Sequence, residues 1–368
     1  MLDFSLICNA FNVQQPKPFL LPLDVRQKLH ELGWTEIHFS DMSRGSVCAW
    51  QQYMDIIMSR ESGNKMADVR KQVSAYALCG NVMHEAFDNY EDTCCLQADG
   101  VTMLGNDPWY WRQLFKKALA NERNEGVIYT HNGTQVTQDD INLWSDRLAS
   151  RQTYGITMAE MIRRIRMPME EQGWQFVDHE RVITYVDGEG TDYPIVFKGT
   201  VDVVAVFRGM VFIFDLKGYG IFRVLFDGKG SVKNVPWTTT QVQYMRQLRH
   251  YHWLYHMATD GEPVDGTGLM LPAACIPYKS NGKNHKKGDQ RGSPVISAPV
   301  LPHRYVMAYQ KDLIKQITIW ARHGFVRDYP TNFGKPICPD YCSYFQACLG
   351  DSKNAIGSDQ EAVLAQYR

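Results

Sequence analysis

GTVDVVAVFRGMVFIFDLKG, residues 199–218, is two apolar runs joined by Arg208-Gly209. With those two residues as a hairpin turn, Phe207 pairs with Met210, and counting outward sets Asp202 opposite Asp215. Side chains alternate along a strand, so Lys217 projects to the same side as the aspartates. Val204, Val206, Ile213 and Val211 lie behind the aspartates, and Val203, Ala205, Phe212 and Phe214 line the opposite face. A hairpin apolar on both faces is buried on both. Two facing carboxylates at its end then repel and lose solvation unless a cation lies between them. Magnesium, which binds through one or two carboxylates plus phosphate and water, meets that need. The competing arrangement has Lys217 alone neutralising the aspartates as an ion pair at a sheet edge, and a bulge at the turn would shift the pairing by one residue.

A further strand is predicted over Trp174–Val186, beside the hairpin strands Val196–Phe207 and Met210–Lys217, with turns at Gly188-Glu189-Gly190 and Arg208-Gly209. On the N-terminal side, Ser40-Asp41 caps a helix over Met42–Ser59, which carries Cys48. Val69, Val73, Tyr76, Gly80, Met83 and Phe87 then recur at helical spacing, with His84 beside their face. Helices follow near Pro108–Asn121 and Asp139–Arg166. Beyond the hairpin come a helix over Thr239–Met257, strands at Gly268–Tyr278 and Val300–Met307, and a helix over Lys311–Gly324. The expected class is α/β, a mixed central sheet flanked by helices with a helical insertion at about residues 100–165. Residues 1–65 form an N-terminal segment, 66–278 the core, 279–299 a basic loop and 300–368 a C-terminal region. The loop, with Lys279, Lys283, Lys286, Lys287 and Arg291, is either a solvated insertion or a phosphate-contacting arm.

With 44% hydrophobic and 21% charged residues, the 368-residue chain has the composition of a folded protein. A net charge of −1 excludes a global positive field, so any polyanion site is local. No basic n-region opens the chain and no uninterrupted apolar run reaches membrane-spanning length, so a soluble cytoplasmic protein without a membrane partner is expected. There is no phosphate-loop motif and no internal repeat, hence no fused motor. The nine cysteines are odd in number and uneven, which suits a disulfide framework poorly. Cys338, Cys342 and Cys348 crowd together, one short of a tetrahedral site, while Cys8, Cys79, Cys94, Cys95 and Cys275 read as packing residues.

Gly199-Thr200-Val201-Asp202 followed by Asp215-Leu216-Lys217 resembles the core motif of the PD-(D/E)XK nucleases, in their RecB-like branch. In that branch a G-x-x-x-H motif supplies a metal-binding histidine, and Gly80-Asn81-Val82-Met83-His84 is similar. Gln247-Leu248-Arg249-His250-Tyr251 looks like its Q-x-x-x-Y helix, and Glu180 matches its usual glutamate on the strand before the first aspartate. The resemblance implies a restriction-endonuclease-like core hydrolysing phosphodiesters. His84, Asp202, Asp215 and the Leu216 carbonyl would hold one or two Mg²⁺ or Mn²⁺ ions, and Lys217 would orient water or stabilise charge. Gln247 and Tyr251 would steady the DNA backbone or the lysine. A simpler reading makes Gln247 and Tyr251 a structural hydrogen-bonding ridge, since they lie one helical turn apart.

Some members of the branch carry a four-iron four-sulfur cluster on four cysteines, and the resemblance makes Cys48 the fourth ligand beside Cys338, Cys342 and Cys348, a staple joining the two ends of the chain. Ala49 stands where that pattern has proline, and the Cys338–Cys342 spacing is one residue longer than usual. Four thiolates also suit structural zinc. Cluster-bearing relatives act on single-stranded DNA ends, so the implied activity is a stand-alone exonuclease in DNA repair or recombination, or one recruited by a helicase or recombination protein. An endonuclease on flaps or branched DNA, and a catalytically idle DNA-binding scaffold, are the alternatives.

Overall fold

The computed structural model describes residues 21–38, 72–96, 102–123, 128–131, 134–218, 221–227, 242–259, 261–283, 286–298, 309–315, 317–318 and 321. The helix expected over Met42–Ser59, the strand over Val300–Met307 and Cys48, Cys338, Cys342 and Cys348 lie outside them.

In chain order the elements are α1 (Leu23–Glu31), β1 (Glu36–His38), β2 (Gln72–Ser74), α2 (Ala75–Asp88), α3 (Tyr90–Cys94), α4 (Pro108–Arg123), β3 (Ile128–His131), β4 (Thr134–Gln135), α5 (Gln138–Ala149), α6 (Arg151–Tyr154) and α7 (Met158–Glu171). They continue with β5 (Gln175–Asp187), β6 (Ile195–Phe207), β7 (Met210–Leu216), α8 (Ile221–Asp227), α9 (Val242–Ala258), β8 (Gly266–Met270) and β9 (Val295–Ala298). The protein is α/β, with a mixed sheet between helices. Among the described residues no helix is long and apolar enough to cross a membrane.

The hairpin forms as its residues dictate. Arg208 and Gly209 have φ of 51° and 78°, the left-handed pair that a two-residue turn needs to match strand twist. Phe207 therefore meets Met210, and pairing runs back to Val203 opposite Phe214. β5 joins β6 antiparallel on its other side, β1 continues the β7 side of β6 in parallel, and β8 lies parallel to β7 with β9 beyond it. The sheet separates two apolar cores. Val203, Ala205, Phe214 and Leu216 pack with α2, α5 and α7, while Val204 and Ile213 pack with α1 and α9. This division along the hairpin follows from strand alternation.

Elsewhere the chain departs from the sequence pattern. The single helix expected over Asp139–Arg166 is three, because Ser150 is extended, Gly155 has a φ of 79°, and Thr157 with Glu160 makes a fresh capping box. The expected insertion is not wholly helical: β3 and β4 pair with β2 in a small second sheet. Gln72–Ser74 is strand rather than the first turn of the next helix. The strand expected over Gly268–Tyr278 stops at Met270, where Pro272 opens a 3₁₀ turn through Cys275. Residues 279–299 are not all loop, since β9 lies within them. At the N-terminal side α1 is tied down by Asp187, whose Oδ2 accepts the Leu21 amide at 2.8 Å.

Candidate metal centre

Each carboxylate of the centre comes from one of three adjacent strands. The pairs His179–Val203 and Arg181–Val201 bracket Glu180 and Asp202, so these two occupy one cross-strand position, and the hairpin count sets Asp215 next to Asp202 on the far side. At this row the alternation of the sheet reverses. Val203 belongs to the first core and Val201 to the second, although residues two apart normally share a face. Their partners reverse too: His179 stacks on Phe176 beside the first core, while Arg181 lies over Tyr255 of the second. Glu180 has a φ of 46°, a left-handed conformation that a non-glycine residue adopts at a cost of about 1–3 kcal/mol. This twist lets side chains from either side of the sheet meet at one point.

From the first core side comes His84. Ser74 caps α2 through the Tyr76 amide, and Leu78, Cys79, Val82, Met83, Ala86 and Phe87 bury one face of the helix. That anchoring directs His84 at the end of β7. Its Nδ1 is hydrogen-bonded to Glu180 Oε1, and its Nε2 lies 3.2 Å from the Leu216 carbonyl and 3.9 Å from Asp202 Oδ2. One ligand atom each from His84, Glu180 and Asp202 falls within 4.8 Å of the others. Asp202 Oδ2 also accepts the Leu216 amide at 2.7 Å.

Asp215 is fully buried. Its Oδ1 accepts from Lys217 Nζ at 2.7 Å and from Gln247 Nε2 at 3.0 Å, and Gln247 Nε2 lies 3.0 Å from the Tyr251 hydroxyl. Gln247 on α9 thus reaches the carboxylate that holds Lys217, with Tyr251, one turn further on, behind it. The other carboxylate oxygen, Oδ2, is buried without a hydrogen-bond partner. A buried carboxylate oxygen left bare costs about 1–3 kcal/mol or more, which a cation would relieve.

Electrostatics describe an acidic pocket short of positive charge. Burial pushes the Asp215 carboxyl up, Lys217 pulls it down and the neighbouring Asp202 raises it further. For Lys217 burial works against the charge, but Asp215 and Asp202 prevail and hold the ammonium firmly protonated. The same contest at His84 ends with burial outweighed by Asp202 and Glu180, pushing the imidazole up to about 9. A divalent ion entering here competes with a proton on His84. A histidine, two carboxylates and a carbonyl oxygen form a donor set suited to Mg²⁺ or Mn²⁺, and the bare Asp215 oxygen faces the same need.

The structure therefore brings together His84, Glu180, Asp202, Asp215, Leu216, Lys217, Gln247 and Tyr251. Two neighbours escaped the sequence reading. Asp88, one helical turn beyond His84, has Oδ1 3.1 Å from His179 Nδ1. Burial first, then Glu180, raises Asp88 to about 7, while burial and Arg166 lower His179 to about 4. Both drift toward neutrality, and His179 Nδ1 lacks hydrogen-bond alignment, so this is a polar contact and not an ion pair. The i, i+4 spacing of His84 and Asp88 was the available signal. Of the packing cysteines, Cys79, Cys94 and Cys275 are buried and Cys95 is exposed, which corrects the reading of Cys95. No protein-family model and no curated protein sequence matches the chain.

Proposed function

We propose that the chain is a Mg²⁺- or Mn²⁺-dependent deoxyribonuclease that hydrolyses phosphodiester bonds at single-stranded DNA ends, built as the PD-(D/E)XK nucleases of the RecB-like branch that its motifs resemble. The observation that carries this reading is the convergence of His84, Glu180 and Asp202 within 4.8 Å, beside a Lys217 ammonium held at 2.7 Å by Asp215. When bound, a divalent ion would supply a water of lowered pKa and charge for the scissile phosphate oxygens. His84, Glu180, Asp202 and the Leu216 carbonyl would hold it, with Asp215 offering its bare oxygen. Lys217, fixed by Asp215, presents a permanent cation to the negative charge that grows on the phosphoryl oxygens. Gln247 fixes the Asp215 carboxylate from the α9 side, with Tyr251 behind it, so the lysine keeps its direction. Cys48, Cys338, Cys342 and Cys348 are proposed to carry a four-iron four-sulfur cluster; a brown, iron-bearing protein supports it, and a colourless zinc protein contradicts it.

The test is degradation of an end-labelled single-stranded oligonucleotide with Mn²⁺. Wild type shortens it progressively, Asp202→Ala abolishes the reaction, and Lys217→Ala slows it by about 10²–10³-fold. Internal cuts at flaps in place of progressive shortening would indicate the endonuclease. Wild type as inactive as Asp202→Ala, yet still binding the strand, would indicate a DNA-binding scaffold.

A further inference from the structure

We propose that the β8–β9 connection is a phosphate-gripping arm that tracks the backbone of a nucleic acid strand leading to the metal centre; this rests on the phosphodiester reading of that centre. The segment 279–291 carries Lys279, Lys283, Lys286, Lys287 and Arg291 against one carboxylate, Asp289, in a chain whose net charge is −1. Charge this concentrated in a near-neutral protein marks a local polyanion contact. All four lysines are exposed. Asp289 accepts the Lys286 amide at 2.6 Å, and its one negative charge stands against the five positive charges of Lys279, Lys283, Lys286, Lys287 and Arg291.

Among the described residues the arm has a paired stem. Tyr278 N donates to Asp289 O and Gly288 N to Tyr278 O, both at 2.9 Å, with Pro277 bridged to Gln290. Asn281 Oδ1 accepts the Lys287 amide at 2.7 Å. At the root the Arg291 guanidinium lies 5.0 Å over the Tyr278 ring and its amide reaches the Ala274 carbonyl. Pro277 packs close to Gly155 at the α6–α7 turn, and Arg164 of α7 donates to the Cys275 carbonyl.

Position supplies the link to the site. Lys217 N donates to Met270 O at 2.9 Å, so the last residue of β8 adjoins the lysine of the centre. From there one buried 3₁₀ turn, Pro272–Cys275, leads into the arm, a step of roughly 8 Å at about 2 Å per residue. The lysines thus leave the sheet from the end at which Asp215 and Lys217 stand. Lysine is a flexible point charge without the planar fork that reads a particular base, so the contact is to backbone phosphate and tolerant of sequence.

The test uses the full chain with Lys279, Lys283, Lys286 and Lys287 all changed to Gln, and follows anisotropy of a labelled single-stranded oligonucleotide against salt in EDTA, where nothing is cut. Each phosphate contact contributes about 0.7 to the slope of log K on log salt for a single strand. The variant slope is expected to flatten by up to about 3, and flattening by less than about 0.7 overturns the arm. Mn²⁺-dependent hydrolysis of bis(p-nitrophenyl) phosphate, too small to reach the arm, stays unchanged in the variant; its loss there contradicts the proposal. A wild type that cleaves neither substrate while the slope still flattens keeps the arm and removes the hydrolytic reading. An unchanged slope in an active enzyme removes the arm alone. Binding to phosphatidylserine-containing vesicles that the variant loses, with oligonucleotide binding intact, reassigns the lysines to a membrane surface and overturns the proposal.

Discussion

Glu180 is where backbone and chemistry meet. Its φ of 46° is a conformation glycine takes without steric cost, while its carboxylate grips His84. Glu180→Gly therefore separates the two roles. Relief of strain and the greater freedom of glycine in the unfolded chain oppose each other, so stability measured by urea unfolding changes by no more than about 1 kcal/mol. Mn²⁺ affinity falls with the lost ligand. A loss of several kcal/mol would show that Glu180 is a structural residue and not one held for its carboxylate. Asp202 and Asp215 were legible as neighbours on adjacent strands because the two-residue turn sets the register from which they are counted, whereas the reversal of faces at that row was not. The conformation of Glu180 was not legible either, since nothing in FVDHERVI marks a left-handed glutamate, and the reversal of faces at Asp202 lies at the same cross-strand position. Gln247 was recognisable as a partner of Tyr251, but its bond to Asp215 depends on how α9 docks against the sheet.

β6 and β7 in the centre of the sheet announce themselves as apolar runs between turn residues, and β5 at its edge, though it mixes polar and apolar residues, is marked by its length and its β-branched and aromatic residues. β1, β2 and β3 are three or four residues each, too short for a periodic signal, and exist through pairing with distant partners. β8 owes its close fit between two neighbours to a glycine. A Cβ at Gly268 would stand 2.6 Å from the Ile296 carbonyl oxygen of β9 and 2.9 Å from the Phe214 ring of β7, so only glycine lets the strands close on both sides. Gly268→Ala pushes against backbone on one side and the hairpin on the other. The expected cost is about 1–3 kcal/mol in urea unfolding, with weaker Mn²⁺ binding because Asp215 pairs with Leu269, the next residue of β8. Wild-type stability and metal affinity together would mean that β8 does not set the position of Asp215.

The molecule is held by two apolar cores on either face of one sheet, and the centre lies where they approach each other. α9 serves both, placing Gln247 in the site and Trp253 and Leu254 in the second core. His252 on the same helix is buried, and burial followed by the neighbouring His256 lowers it to about 4. The unfolded chain, with a histidine near its ordinary value, binds more protons than the folded one between about pH 4 and 6.5. Stability from this residue is present above that window and is lost as pH falls through it, on the order of 3 kcal/mol. His252→Gln is expected to flatten the acid limb of urea-unfolding stability against pH; an unaltered limb would place the ring in water. Whole-molecule features of this kind depend on which helix faces which side of the sheet, and composition carries no trace of them.

The centre itself is tested most directly by calorimetric titration of Mn²⁺ into wild type and into Asp202→Asn, with folding of both checked by circular dichroism. Wild type is predicted to bind Mn²⁺ at a saturable site that Asp202→Asn loses while remaining folded. Equal Mn²⁺ binding by the two folded proteins would contradict the assignment of His84, Glu180, Asp202 and the Leu216 carbonyl as a metal centre.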